Sequence, residues 1–367
     1  MHVAATLVRG GTSKCWLFDE AELPASVSDI EALLVNAYGA ADPVQLDGIG
    51  GATPTTSKAA VVRPSGAPGV HVDYLFAQVG IGTGRVEWGS NCGNCATAIA
   101  LWSVARGLVP VSGDRTRVVM RNTNTGAVLE AEVDTPGGAV PEFGTQTVPG
   151  TRAGGVAVGL TFLDPAGDTT GSLLPAGEVA EEWEIDGLRA RVTVLDAGAP
   201  MVLLDAAGLT GAESLREMGA HVEALRRFRH HAAERMGLTR PGEAVTDAVP
   251  KVGVVGPPRA YRTSLGDEVT AADHDVSVRM LSMNAPHPAI GLTSAVGVAV
   301  ANLLDGSVVH SASSAPGAAE LRIATAAGVI TVTSGDLTTS GPRRVTVRRA
   351  ARILCAADIV VPESIPA

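Results

Sequence analysis

Two side chains combine reactivity with a suggestive setting. Cys92 lies in SNCGNCATAIALW, directly ahead of an apolar run of helical length. A helix start exposes unpaired N–H groups and partial positive charge, so it lowers a thiol's proton affinity and binds carboxylate. One short segment thus offers a base and an anion site, with Asn91, Gly93 and Asn94 as donors. The competing reading is a thiol that packs as a small hydrophobe. Lys58 closes GGATPTTSK, residues 50–58, a stretch of glycine and hydroxyl residues that follows Asp47 and includes Ser57 beside the lysine. Burial there would disfavour the ammonium form and bring the amine toward neutrality, where it can act as a base.

Three further segments offer donors. RGGTSKC, residues 9–15, has two glycines that allow a ligand close to the backbone, with Thr12, Ser13 and Lys14 beside them; a plain hairpin turn fits equally well. NTNTG, residues 122–126, carries the same ambiguity. His287 is fixed between Pro286 and Pro288 ahead of a second apolar run, which Thr293 and Ser294 help to open. Nucleotide motifs fail on inspection. GGATPTTSK has Ser57 where a phosphate loop needs glycine, and GIGTGR, residues 80–85, lacks dinucleotide spacing. Cys92 and Cys95 form a CxxC, yet no second pair of ligands completes a zinc site, because the adjacent His230 and His231 point to different faces of a helix. No cofactor and no metal is expected.

These residues need a scaffold, and the chain describes one twice. Residues 4–18 read as strand, glycine turn, strand, followed by an amphipathic segment Ser28–Tyr38; residues 191–205 repeat the order, followed by a helix from about Ala212 to Met236. Gly93–Leu108 and Gly291–Leu304 are helical and apolar on nearly every face, so each must be enclosed. Valine-rich strands fill the intervals: Gly69–Val79, Arg117–Val133, Gly155–Leu163, Gly328–Thr333 and Arg344–Leu354. The expected fold class is α+β, a curved, mostly antiparallel sheet around a central helix, made twice. The first domain is expected over 1–182 and the second over 183–344. Two positive helix ends facing one cleft would suit a substrate with more than one carboxylate.

Composition narrows the partners. With 367 residues and 46% hydrophobic content the chain can bury two cores, and a net charge of -10 with 3% aromatics argues against nucleic acid. The opening MHVAATLVRGGTSK lacks a secretory pattern and no apolar run suits a membrane span, so no membrane partner and a cytoplasmic location are expected. Four cysteines are too few for a disulfide framework. The partner expected is a small polycarboxylate. The stretch Arg226–Arg235 reads as a solvated basic face, and a homodimer contact there stays open.

RGGTSK, DGIGGATPTTSK, NCGN, NTNTG, RMLSMNAPHPAI and RRAARILCAADIVVP, in this order, resemble the PrpF family over nearly the whole chain. That family includes 2-methylaconitate, methylitaconate and aconitate isomerases and 4-oxalomesaconate tautomerase. The resemblance implies a diaminopimelate epimerase-like fold of two pseudo-symmetric halves, with the C-terminal strand, about 345–367, returning to the first. It also implies that Lys58 and Cys92 are the acid/base pair and that Gly93 and Asn94 hold a substrate carboxylate. The related epimerases place a second cysteine at the second central helix; here that stretch reads PAIGLTSAVG and has none, which favours a proton shift over inversion at one carbon. Three positions depart from the family pattern: Cys15 and Ser90 where glycine is usual, and HSASSAPGAAELRI, residues 310–323, where many members carry a GHPSG-like turn. The expected activity is a cofactor-independent allylic 1,3-shift or cis–trans isomerisation of an unsaturated di- or tricarboxylate. The alternatives are keto–enol tautomerisation of an oxo-dicarboxylate and a non-catalytic carboxylate-binding member.

Overall fold

The computed structural model describes residues 1–89, 92–205, 215–240, 243, 249–338 and 341–362. They gather into two compact units, Met1–Thr161 with Arg348–Ala367, and Phe162–Val347.

In the first unit the strands are β1 His2–Gly10, β2 Ser13–Asp19, β3 Lys58–Pro64, β4 Val72–Val79, β5 Val86–Glu87, β6 Arg115–Asn122, β7 Val128–Asp134 and β8 Val156–Leu163. The helices are α1 Val27–Tyr38 and α2 Gly93–Ala105. β1 and β2 form an antiparallel hairpin, β3 joins β2 in parallel, β4 pairs antiparallel with β3, β6 joins β4 in parallel and β7 closes antiparallel on β6. This sheet curves around α2, which packs on β1, β2, β3, β6 and β7. α1 covers the outer face: Ile30, Leu33, Leu34 and Ala37 share a core with Trp16, Phe18, Ala59 and Val61. Ala59–Val62 are therefore buried on both faces, which is why β3 begins as a continuous apolar run and does not alternate.

The second unit repeats the plan with β9 Glu181–Ile185, β10 Leu188–Asp196, β11 Pro200–Asp205, α3 Leu215–Gly219, α4 Val222–Arg235, β12 Lys251–Gly256, β13 Tyr261–Arg262, β14 Glu268–Val269, β15 Val276–Ser282, β16 Ala285–Pro286, α5 Leu292–Leu303, α6 Val308–Ala312, β17 Glu320–Thr325 and β18 Gly328–Thr338. The hairpin β10–β11, parallel β12, antiparallel β15, parallel β17 and antiparallel β18 reproduce the pairing order of the first unit step for step. α5 is the enclosed helix and α4 the outer one, sharing Leu225, Phe228 and Ala232 with Val202, Val252 and Val254. β19, Gly341–Val360, pairs antiparallel with β18 through Val347 and with β1 from Ala351 onward.

The units divide after Thr161 and Val347, whereas the sequence reading put the first division after residue 182. Residues beyond β8 belong with the second hairpin because Gly167 N–H bonds Asp196 O, Asp196 N–H bonds Leu173 O, and the Asp196 carboxylate accepts from both Thr169 and Thr170 N–H. The sheet of each unit contains two parallel joints and is otherwise antiparallel among the described strands, as the sequence led one to expect. The single helix expected over Ala212–Met236 is, in its described part, two helices broken at Ala220–His221; residues 206–214 lie outside the described set. Nor is Arg226–Arg235 uniformly solvated. Arg229 is fully buried and donates to Met283 O at 2.9 Å, while Arg226, Arg227 and Arg235 pair with Glu223, Asp186 and Glu181.

Candidate active site

α2 starts without the devices that usually close a helix. Cys92 is the N-cap in extended conformation, its side chain makes no cap bond, and the first turn holds no acidic residue. The contrast is α1, where Ser26 Oγ accepts from Asp29 N–H at 3.1 Å and Asp29 adds a negative charge. The N–H groups of Gly93 and Asn94 thus keep the positive end of α2 available, with that of Cys95 turned to the Cys92 sulfur, since the first backbone bond closing the helix runs from Ala96 to Cys92 O.

Lys58, the first residue of β3, faces this helix end from a nearly buried position. Its ammonium donates to Gln78 Oε1 and stands 5.1 Å from the centroid of Phe76. The β3–β4 register sets Gln78 opposite, and Gln78 Nε2 donates to Ser57 O, so the acceptor is held in place. Tyr38 of α1 fixes the backbone by donating to Lys58 O at 2.5 Å. Cys92 is half-buried, and its sulfur interacts with Lys58 on one side and with Cys95 on the other. Cys15 and Cys95 complete a line of thiols behind it.

The proton affinities depart from those expected of an isolated buried lysine and a helix-capping thiol. Burial pulls Lys58 down, but the sulfurs of Cys92, Cys95 and Cys15 outweigh it, and the ammonium is held above its ordinary range. The hydrogen bond with Cys95, then burial, push the Cys92 thiol well up, against the lowering influence of Lys58. Both shifts favour the protonated form of each group.

The RGGTSK segment is a hairpin turn, and it is also seated on α2. A Cβ at Gly10 would collide with Asn94 O and with the backbone of Ala98; one at Gly11, where φ is 51°, would collide with Asn94 Oδ1 and Arg349. Asn94 Nδ2 donates to Thr12 Oγ1 at 3.1 Å and to Ser13 Oγ at 3.3 Å. Lys14 lies across the hairpin from Arg9, half-buried. Ser57 is different: fully buried, it donates to Val79 O at 3.0 Å and accepts from Gln45 Nε2 at 2.9 Å, so its hydroxyl is committed to the fold and not to a ligand. NTNTG also has a structural task, because Asn124 clamps both backbone groups of Phe76 while also donating to Trp88 O. Asn91 and Ser90 lie outside the described residues.

Thr12, Ser13, Lys58, Cys92, Gly93 and Asn94 therefore share one unit, while His287, Thr293 and Ser294 belong to the other. There, Gly291 caps α5 without a side-chain bond, Ser294 is buried in the first turn, and Gly198, at φ 71°, packs its turn against Thr293 O. His287 Nδ1 accepts from Ala289 N–H at 2.9 Å.

Two residues of the first unit escaped sequence reasoning. Gln78 carries no signal except its register with Lys58. Arg349 has one: Val345, Val347, Arg349 and Ala351 alternate on the buried face of β19, so this arginine occupies a core position. It donates to Asn94 Oδ1 at 2.6 Å. Among the described residues, no three His, Cys, Asp or Glu side chains are grouped to hold a metal ion, and no helix is long and apolar enough to cross a membrane.

Comparison with known proteins identifies the family and the fold. The PrpF protein family model matches residues 1–362. A (4E)-oxalomesaconate Delta-isomerase of Novosphingobium sp. is 39% identical over 305 residues, covering 82% of this chain and 80% of its own. A 2-methyl-aconitate isomerase of Shewanella oneidensis is 34% identical over 390 residues, covering 99% and 98%. A solved methylitaconate-delta-isomerase superposes with a TM-score of 0.87 at 27% identity, over 98% of this chain and 96% of that one. The architecture is the α+β, diaminopimelate epimerase-like fold.

Proposed function

The chain belongs to the PrpF family and is an isomerase, and on that premise we propose that it moves a proton along an unsaturated di- or tricarboxylate, with Lys58 and Cys92 as the acid/base pair. The observation that carries the reading is the Lys58 amine beside the Cys92 sulfur at a helix start that has no side-chain cap.

One member of the pair removes an allylic proton. The electron pair of that C–H bond enters the conjugated system and forms a dienolate, whose charge spreads onto a substrate carboxylate. The other member returns a proton two carbons away, so the double bond shifts or changes geometry and no atom is gained or lost. The Gly93 and Asn94 N–H groups bind the carboxylate whose charge grows, an interaction that strengthens toward the transition state. A positioned base contributes about 10² to 10⁴ in rate and an oxyanion donor about 10² to 10³, so both are needed on a carbon that a carboxylate activates only weakly.

The resting pair holds one proton too many for this task. Loss of one proton leaves an acid and a base, whether written as thiolate and ammonium or as thiol and amine. The competence of the site therefore belongs to the pair, and which sulfur or nitrogen holds the remaining proton is not a separate quantity.

Aconitates, 2-methylaconitate, methylitaconate and 4-oxalomesaconate form the test panel. Proton NMR in D₂O is expected to show solvent deuterium entering an isomerised product, and the signal is expected to vanish in Lys58→Ala and in Cys92→Ser. Turnover that survives both substitutions would remove the pair from the mechanism. The 36% identity to a 4-oxalomesaconate tautomerase of Pseudomonas putida supports a second reading, keto–enol tautomerisation of an oxo-dicarboxylate on the same residues, which the same panel separates.

A further inference from the structure

We propose that Arg349, delivered by the C-terminal strand, is a positioning residue that orients the Asn94 amide so that the hydroxyls of Thr12 and Ser13 donate their protons to a substrate carboxylate. The inference rests on the polycarboxylate reading above and assigns part of its recognition.

The argument follows hydrogen-bond direction. A guanidinium has donors only, so the Asn94 atom that it meets at 2.6 Å must be the carbonyl oxygen Oδ1. The amide nitrogen then points the other way, and its two N–H groups are taken by Thr12 Oγ1 and Ser13 Oγ. Each hydroxyl accepts one bond from Asn94, and its own proton has no protein acceptor among the described residues. Two O–H groups are thus aimed as donors beside the open N–H groups of α2. Without Arg349 the amide could turn over; the hydroxyls would then donate to Oδ1 and leave a ligand facing lone pairs.

Arg349 is poorly explained as mere structure. It is 5% exposed, no carboxylate pairs with it among the described residues, and its Nε is buried without a partner. Burial first, then the charge of Arg9, lower its guanidinium to about 10, which marks a buried cation in want of negative charge. Arg9 itself braces the same turn, donating to Gly11 O at 2.9 Å and to Ala153 O and Gly154 O at 3.2 Å. Gly11 N–H bonds Ala350 O at 2.9 Å, so strand and turn are registered with each other, and the missing Cβ of Gly11 makes room for the Arg349–Asn94 contact.

The test uses tricarballylate, a saturated tricarboxylate that can bind without being isomerised, titrated calorimetrically into the full chain and its variants. Arg349→Met is expected to weaken binding about 30-fold, the effect of losing a charge-assisted hydrogen bond. Asn94→Ala should do the same, and the double variant should be no worse than either, because both break one linkage. The melting temperature without ligand should hold in Arg349→Met, since an uncompensated buried cation is removed, whereas a purely structural arginine would lose stability and leave affinity intact. Should that variant not fold, Asn94→Asp answers the question. It keeps the shape and gives Arg349 an ionic partner, yet it makes both hydroxyls donate inward, so binding should disappear while stability rises.

Affinity within threefold of wild type in Arg349→Met or Asn94→Asp, or additive losses in the double variant, would overturn the proposal. If wild type binds tricarballylate but isomerises nothing in the panel, the activity reading fails and the affinity ratios still decide the role of Arg349. No binding by wild type overturns both.

Discussion

The starts of α2 and α5 occupy equivalent places in two units of the same pairing order, yet only one brings a lysine and thiols together. Both helices are buried along nearly their whole length, and both lack a side-chain cap and a first-turn acid. Each is met by a glycine turn from a hairpin, Gly10 and Gly11 in one unit and Gly198 in the other. Beyond this the two differ. α2 opens with Cys92, Gly93, Asn94 and Cys95 and is faced by Lys58, whereas α5 opens with Gly291, Leu292, Thr293 and Ser294, none of which titrates in the physiological range. The scaffold supplies a helix start without a side-chain cap twice, and the lysine and thiols proposed as acid and base stand at one of them. A repeated fold can thus conserve an anion-binding feature while its chemistry becomes one-sided.

The sharpest way to break this comparison is to remove the titrating groups. Lys58→Ala and Cys92→Ser are each expected to lower kcat by about 10² to 10⁴, the usual worth of a positioned proton-transfer group, whereas Ser294→Ala should cost less than about tenfold. Equal losses at the two helix ends, measured under saturating substrate, would show that the chemistry is shared.

The second effect concerns pH. Both members of the pair hold their protons above their ordinary ranges, so the base form is scarce at neutrality and grows as pH rises. kcat/KM is expected to climb by about tenfold per pH unit on this limb, following the pair and not either residue alone. A profile flat from pH 6 to 8 would mean that the pair already stands deprotonated once.

Glycine substitutions sharpen the comparison further. Gly11→Ala and Gly198→Ala both place a side chain at positive φ and against the first turn of an enclosed helix. Each should cost on the order of 1 to 3 kcal/mol in chemical denaturation. Gly11→Ala should also raise KM, because the added carbon meets Asn94 and Arg349; Gly198→Ala should affect stability more than turnover.

The smallest effect separates the units through an acid response. His274 of the second unit is fully buried, donates from Nδ1 to Thr270 O and accepts from Arg259 N–H at Nε2, with Arg279, Asp273 and Asp275 around it. Burial, with Arg279 adding to it, lowers its proton affinity despite Asp273 and Asp275. The unfolded chain then binds more protons below the ordinary histidine range, so this contribution is complete at neutral pH and fades as pH falls through that range. A drop of about 2 to 4 °C in Tm between pH 7 and 5, reduced in His274→Gln, is the expected reading.

Much of this molecule can be read from local pattern alone. Apolar residues around every face of 93–105 and 292–303 require enclosure, because such a helix has no side to show to water. The two strand–glycine–strand segments and the position of Cys92 at a helix start follow from residues that are near neighbours in the chain, as does the family likeness. What joins distant residues was decided only by folding. Lys58 meets Cys92 because β3 and the start of α2 converge, and Gln78 enters through strand register, which no short motif encodes. Ser57 reads as a donor in the same motif as Lys58, yet it is consumed by Gln45 and Val79. Proton affinities depend on summed local fields: burial of Lys58 acts in the expected direction, but three sulfurs from two segments, Cys15 and the Cys92–Cys95 pair, act against it. Arg349 lies 255 residues from the amide it orients. In the sequence it is one of several arginines near the end of the chain; only the pleat of β19, which turns alternate residues inward, makes it a buried charge beside the α2 terminus.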